Sequence, residues 1–478
     1  MFVAHRGAQS FGQARQHLLA RNMAVLNRLH PGYDALVGRF EAADPLAPAR
    51  RRVDRLRWAA GRREGAVVLV THGLGGGVER HLRERTAAIR AEGLRAVVLR
   101  PAAATRESAA GWMPEDGAMA DGAMADGATA DGATADGAAA AGRACTVSDG
   151  VEGRFADLEF AVPGEMAALA RLLGRDGVRR VELHHLLGHA PEIAGLAAAL
   201  GVPCDVVVHD YAAWCPRVSL CGAGGRYCGE PVDEATCEDC VADHGSRLDE
   251  RPGEQIGVAA LRARSGRMLR AARRVVAPSA DAAERIARQF PGVAAVVAPW
   301  EDEAWPPIVR RDKQADGSTW SGGVAAGEAA ADDGRGVRVL VMGAIGVEKG
   351  YDVLLGCVRD AGRRDLPLSF VVAGHTMDDA RLLDAGPVFV TGRYEEHEAV
   401  ALARRQGAQL GFVPSVWPET WCYALSELWR AGLSVAAFAL GAQAERIRRA
   451  GNGVLLPPGL PAGRVNDALM RAALGALH

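Results

Sequence analysis

The residues best suited to chemistry lie between Pro414 and Glu427, in the stretch PSVWPETWCYALSE. Pro418 is a helix-start signal, which places a helix from about Thr420. Trp421, Ala424, Leu425 and Leu428 then share one apolar face, and Gly432 supplies a stop. The mouth of such a helix presents unpaired N–H groups and a positive dipole end, which suit a phosphate. Glu419 and Glu427 are eight residues apart. At ~100° per residue they are offset by ~80°, one at the helix mouth and one within it. A carboxylate accepts two hydrogen bonds from a vicinal diol, the group that sugars and ribose share.

Further candidates lie elsewhere in the chain. In GAIGVEKGYDVLL (343–355), Gly343 and Gly346 permit a tight turn, and Lys349 follows it. A lysine beside a glycine turn that opens a helix is a phosphate-binding arrangement. Only two of the 56 basic residues are lysines, Lys313 and Lys349. Since the compact ammonium and the planar guanidinium do not substitute freely, a retained lysine is informative. A second glycine turn, Gly75-Gly76-Gly77, follows the apolar run AVVLV. Two adjacent histidines, His184 and His185, end the run VELHH.

Nine cysteines are present, five of them clustered: Cys215, Cys221, Cys228, Cys237 and Cys240. Outside an oxidising compartment such clustering favours metal over disulfides. The expected ligands are Cys215, Cys228, Cys237 and Cys240, with Cys221 to spare. Four thiolates close a zinc shell, so a structural Zn is expected, not a catalytic one. An iron–sulfur centre and a loop of free or partly buried thiols are the alternatives.

Glu419-x7-Glu427 in its setting resembles the signature of retaining GT-B glycosyltransferases, family 4 in particular. The resemblance covers roughly residues 66–300 and 336–460, with several motifs in the expected order. It implies that Glu419 lies by the transferred sugar and Glu427 holds the ribose of the nucleotide. Thr420, Trp421 and Cys422 would give backbone N–H groups to sugar and phosphate. Lys349 would grip the diphosphate, where the family also has an arginine five residues earlier; here that position is Ala344. Gly75, Gly76 and Gly77 would face the sugar and diphosphate. His184 matches the family's active-site histidine, which is thought to contact the sugar. HDYAAWCPR (209–217) is similar to a loop of a bacterial subgroup, so His209 and Asp210, with His185, are expected on the acceptor side.

The elements that must position these groups are legible as alternating strands and helices. Strands are expected at 66–70, 95–100, 181–185, 205–210 and 273–279, with an Ala-rich helix at 190–200. After a Gly-, Ala- and Asp-rich stretch they restart at 337–346, 369–375, 388–392, 410–415 and 434–440. This is an α/β doubly wound pattern met twice. With the resemblance, it predicts a GT-B fold: two Rossmann-like domains facing across a cleft. Residues 1–65 read as an N-terminal helical extension. Residues 66–300 read as the acceptor domain, with a five-residue repeat at 115–141 as a disordered insertion and a cysteine-rich loop at 209–245. A linker is expected at 301–335 and the nucleotide-sugar-binding domain at 336–478.

The net charge of -2 gives no electrostatic reason to expect nucleic acid. No signal peptide or spanning segment is legible, so the expected location is the cytoplasm, at most peripheral to the inner face of the membrane. The resemblance implies a nucleotide-diphosphate sugar donor, a glycan or lipid-linked acceptor, no catalytic metal and a role in bacterial surface polysaccharide synthesis. An epimerase or phosphorylase of the same fold, and a non-catalytic nucleotide- or glycan-binding module, are the rival readings.

Overall fold

The computed structural model describes residues 14–61, 65–102, 143–151, 154–248, 256–302 and 336–475. The expected repeat insertion, and the expected linker beyond residue 302, lie outside them.

The chain divides into two compact units. Among the described residues, the smaller comprises 14–61 with 155–159. It contains helices α1 (Ala14–Leu29), α2 (Tyr33–Ala43) and α3 (Ala47–Ala60). Trp58 of α3 is buried and meets Phe155 edge-on, with ring centroids 4.9 Å apart. Asp54 accepts a 3.1 Å hydrogen bond from the Asp157 amide and pairs with Arg57 at 2.8 Å.

The larger unit holds two sheets. The first has eight strands in the order β4-β3-β2-β1-β5-β6-β7-β8. Its strands are β1 (Ala66–Val70), β2 (Arg95–Pro101), β3 (Arg143–Ser148), β4 (Glu159–Val162), β5 (Val178–Leu183), β6 (Cys204–Val207), β7 (Arg274–Ala277) and β8 (Ala295–Val297). Between them run α4 (Gly76–Ala91), α5 (Met166–Gly174), α6 (Leu196–Leu200), α7 (Glu234–His244), α8 (Val258–Ala271) and α9 (Ala280–Gln289). β1 is buried along its whole length, as a parallel strand covered on both faces must be. In register, Val68 faces Val97 on one side and Val181 on the other.

The second sheet has six strands, ordered β11-β10-β9-β12-β13-β14. They are β9 (Val337–Ile345), β10 (Leu368–Thr376), β11 (Val388–Val390), β12 (Leu410–Val413), β13 (Val435–Phe438) and β14 (Gly453–Leu456). The helices here are α10 (Tyr351–Arg363), α11 (Asp379–Leu383), α12 (Ala399–Arg405), α13 (Tyr423–Arg430), α14 (Gly441–Ala450) and α15 (Ala462–Gly475). Two apolar clusters fill the two faces: Val339, Leu354 and Leu469 on one, Leu340, Leu425 and Leu428 on the other.

In each sheet the strand order reverses once, between β1 and β5 and between β9 and β12. Ligands of open α/β sheets bind beyond the carboxyl ends of the strands at such reversals. Just beyond these four strands lie Gly75 with Gly76 and Gly77 at the start of α4, His184, Lys349 and Glu419. The two Rossmann-like halves face each other across a cleft, the GT-B arrangement expected.

Four strands lie outside those expected from the sequence: β3, β4, β8 and β14. They are short or mixed in burial and lie toward sheet edges, where no continuous apolar run is needed. The helix expected from Thr420 begins at Tyr423, because Cys422 is extended at φ -112° and ψ 98°. Glu419 and Trp421 therefore lie in the loop before the helix, and the helical offset between the two glutamates does not apply. The helix expected at 190–200 opens with a 3-10 turn, Pro191–Gly195.

Candidate active site

Both reversal points open on one cleft of about 840 Å³, within the usual range for small-molecule sites. Gly75, Gly76, Gly77, Gly343, Lys349, Glu419, Thr420, Trp421, Glu427, His209 and Asp210 all line it. Gly346, Cys422, His184 and His185 do not. The two histidines instead line a smaller cavity behind the cleft, which shares His209 and Asp210 with it.

Glu419 is 2% exposed. Its Oε1 accepts a 2.6 Å hydrogen bond from Ser415 Oγ, and its Oε2 accepts one of 2.7 Å from Lys349 Nζ. The backbone sets this meeting. Gly350 has φ +88°, and a Cβ there would collide with the Pro414 carbonyl oxygen. Only glycine lets the turn carrying Lys349 press against the loop carrying Glu419. On the other side, Gly441 has φ +66°, and a Cβ would lie 2.6 Å from the Glu419 amide nitrogen. The Ala442 amide then donates to the Glu419 carbonyl at 2.8 Å. Burial opposes the charge on Lys349, but Glu419 outweighs it and raises the lysine's pKa.

Glu427 sits within α13 and takes a different partner. Its Oε1 accepts 2.8 Å from Arg80 Nη1. Arg80 lies on α4, one turn past the glycine loop. It also pairs with Glu301 at 3.0 Å and Glu396 at 2.9 Å, and its guanidinium lies 4.1 Å from the ring centre of Tyr423. Burial pushes the Glu427 pKa up, opposed by Arg80. Glu301, which the sequence reading assigned to the linker, buries its side chain at the base of α13. It accepts from Trp421 Nε1 at 3.1 Å and from Ser426 Oγ, and pairs with Arg430 at 2.8 Å. Buried Arg446 stacks over Trp421 at 3.9 Å and donates to the Cys422 carbonyl at 2.7 Å.

The other wall is tied to this loop by hydrogen bonds. Tyr211 Oη donates to the Pro418 carbonyl, and Thr420 Oγ1 donates to the His209 carbonyl at 2.5 Å. His185 Nε2 lies 3.1 Å from Asp210 Oδ2. Burial opposes the Asp210 charge, but His185 and the Ala212 amide hold its pKa low.

His184 Nδ1 and His209 Nε2 share a 2.9 Å hydrogen bond. His81 stands close to both, and Trp300 covers His81 and His209 with ring centroids 4.7 and 4.6 Å away. Burial and neighbouring His184 lower the His81 pKa to about 3, and the same causes put His209 well below its usual value. Both rings are neutral at physiological pH.

Ala344, where the resemblance leads one to expect arginine, lines the cleft. Its register partner on β10 is His375, and Arg393 lies near that ring, at the cleft lip. The five clustered cysteines line one separate pocket, with Arg262 Nη2 3.2 Å from Cys237 Sγ. Burial raises the thiols of Cys215 and Cys228 to about 11. Among the described residues, the one group of three or more metal-ligating atoms within 4.8 Å of each other is the histidine trio.

Sequence reasoning missed Arg80, His81, Tyr211, Ser415 and Glu301. The first two carried a usable signal, since α4 opens at Gly76 and its next turn must flank the cleft. Glu301 carried none; an isolated Glu after a short edge strand reads as surface.

No protein-family model matches the chain, and no curated protein matches it by sequence. Solved structures do. The pneumococcal O-GlcNAc transferase GtfA, in complex with UDP and GlcNAc, aligns at 12% identity with a TM-score of 0.47, over 86% of this chain and 92% of that one. Anabaena HepE in complex with UDP and glucose aligns at 10% and 0.44, over 87% and 93%. S. aureus TarM aligns at 12% and 0.41; that match covers 70% of this chain and just over half, 56%, of TarM.

Proposed function

We propose that the chain is a retaining glycosyltransferase that takes a sugar from a nucleotide-diphosphate donor bound in the cleft. The observation that carries this is the placing of Glu419, held by Lys349 and Ser415, and Glu427 along one wall of a cleft built from two strand-order reversals. Glu427 offers its carboxylate to the ribose diol and Glu419 to the sugar hydroxyls. The diphosphate lies between them, on Lys349 and the N–H groups ahead of α13. Arg393 supplies the cation that Ala344 does not.

The bond from the anomeric carbon to the diphosphate oxygen breaks through an oxocarbenium-like state. The acceptor hydroxyl adds to the same face, and its proton passes to the departing phosphate oxygen. Lys349 and the helix-mouth amides stabilise the charge that develops on that oxygen. The acceptor, a glycan or lipid-linked sugar of a bacterial surface polysaccharide, approaches from the His209 and Asp210 side. In this reading the cysteine-rich loop takes a structural zinc on Cys215, Cys228, Cys237 and Cys240, whose sulfurs must draw closer than they stand here to close the shell.

The test is a thermal-shift screen of the full chain against nucleoside diphosphates and their sugars, followed by product analysis with the donor that stabilises it. Binding raises the melting temperature through preferential affinity for the folded state. A new glycosidic bond with retained anomeric configuration is the expected product. An isomerised donor, a sugar phosphate, or tight binding without turnover on any acceptor overturns the reading.

A further inference from the structure

The described residues contain one cluster of metal-ligating atoms to which the proposed transfer gives no bond-making role. His81 comes from α4, His184 from the end of β5 and His209 from the end of β6, so three elements converge. One ring nitrogen from each lies within 4.8 Å of the others. We propose that His81, His184 and His209 form a binding site for a divalent ion of the zinc class, ligated by nitrogen alone.

Three observations support it. First, the spacing brackets what a metal needs. Zinc–imidazole bonds of about 2.0–2.1 Å put paired nitrogens about 3.3 Å apart in a tetrahedral shell. His184 Nδ1 and His209 Nε2 are 2.9 Å apart and no pair exceeds 4.8 Å, so small side-chain rotations suffice.

Second, an outer carboxylate is in place. Ligating histidines usually present their other ring nitrogen to a carboxylate, which fixes the ring and raises its basicity. The far nitrogen of His184, Nε2, has no hydrogen-bond partner and faces Glu182 Oε2 at 3.7 Å. Glu182 is itself anchored by Arg85 at 2.6 and 2.8 Å and by Arg180 at 2.8 Å.

Third, the surroundings suit an ion that enters from the cleft. His209 lies at the cleft surface, while Trp300 stacks against His81 and His209. A bound ion would join α4, with its glycine loop and Arg80, to the ends of two strands.

This site is independent of the donor assignment and distinct from the cysteine loop, and the experiment separates them. The full chain is stripped with chelator and titrated with Co²⁺, in the wild type and in a Cys237→Ser/Cys240→Ser variant. Visible bands of nitrogen-ligated Co²⁺, without sulfur charge transfer, should appear at about one equivalent and persist in the cysteine variant. His81→Gln should lose them, and Glu182→Gln should weaken Co²⁺ binding about tenfold. Absence of nitrogen-ligated bands in the wild type overturns the proposal, and so do bands unchanged in a folded His81→Gln. Should the variants fail to fold, the wild-type spectrum decides alone.

Discussion

Glu419 and Glu427 stand on the same wall of the cleft but are held in different ways. Glu419 takes Lys349 and Ser415 from its own half of the larger unit and is locked by two backbone approaches at Gly350 and Gly441. Glu427 takes Arg80 from the opposite half, and Arg80 divides itself among four carboxylates, those of Glu84, Glu301, Glu396 and Glu427, and an aromatic face. One carboxylate is pre-positioned by the loop that carries it. The other is positioned only while the two halves are together. A ligand that needs both carboxylates therefore depends on α4 for the placing of one of them.

The sharpest way to break this contrast is to remove the cation of the local pair. Lys349→Ala should lower kcat on the order of 10²-fold, the usual cost of losing one donor to a developing oxyanion. Its melting temperature should fall less than that of Arg80→Ala. Ser415 still donates to Glu419, and water can enter where the lysine side chain, 42% exposed, has left. Steady-state kinetics beside a thermal melt measures both. Wild-type turnover would remove Lys349 from the chemistry.

Arg80→Ala should do the converse. It strands the buried carboxylate of Glu427, while Glu301 keeps Arg430, Trp421 and Ser426, and breaking such a buried pair costs about 3 kcal/mol. Donor KM should rise about tenfold through the lost closure, with faster amide exchange in α4 and α13. If amide exchange is unchanged, Arg80 does not join the halves. Arg393→Ala should weaken donor binding about threefold, more at low salt than at high, as befits a cation at the cleft lip. Equal loss at both salts would argue against its contact with phosphate.

The smallest effect is a pH dependence. The folded pKa of Glu427 is raised above 4.5, so the folded state takes up its proton first. Its ionisation costs stability above the folded pKa, and that cost disappears as pH falls toward the unfolded value. Urea melts of wild type and Glu427→Gln should therefore diverge in favour of the wild type as pH drops from about 7 to about 4.5. A constant difference would show that Arg80 cancels the burial.

Much of this arrangement is legible in the residues themselves. The buried parallel strands announce themselves as continuous apolar runs. The run from Ala66 to Val70 is wholly apolar and wholly buried, which leaves it little choice of role. The loop residues Lys349 and Glu419 stand out by type and setting. Partnerships across the cleft are not legible. Arg80 and Glu427 are 347 residues apart, and nothing local in either sequence names the other. The helix start was misplaced because Pro418 is a sound local signal that tertiary hydrogen bonds to Tyr211 and His209 override. His209 reaches the cleft and His184 does not, because β5 ends at Leu183 and leaves His184 buried behind its neighbour.

Gly441 carries one last consequence. It has no side chain, so a scan that truncates side chains to alanine would treat it as a gain of one methyl group. That methyl would occupy the space of the Glu419 amide and the Pro418 backbone. An exchange of exposed Arg393 at the cleft lip leaves that backbone untouched. Position 441 has no such freedom, and sets a limit on redesign that no inventory of ligand-touching residues would reveal.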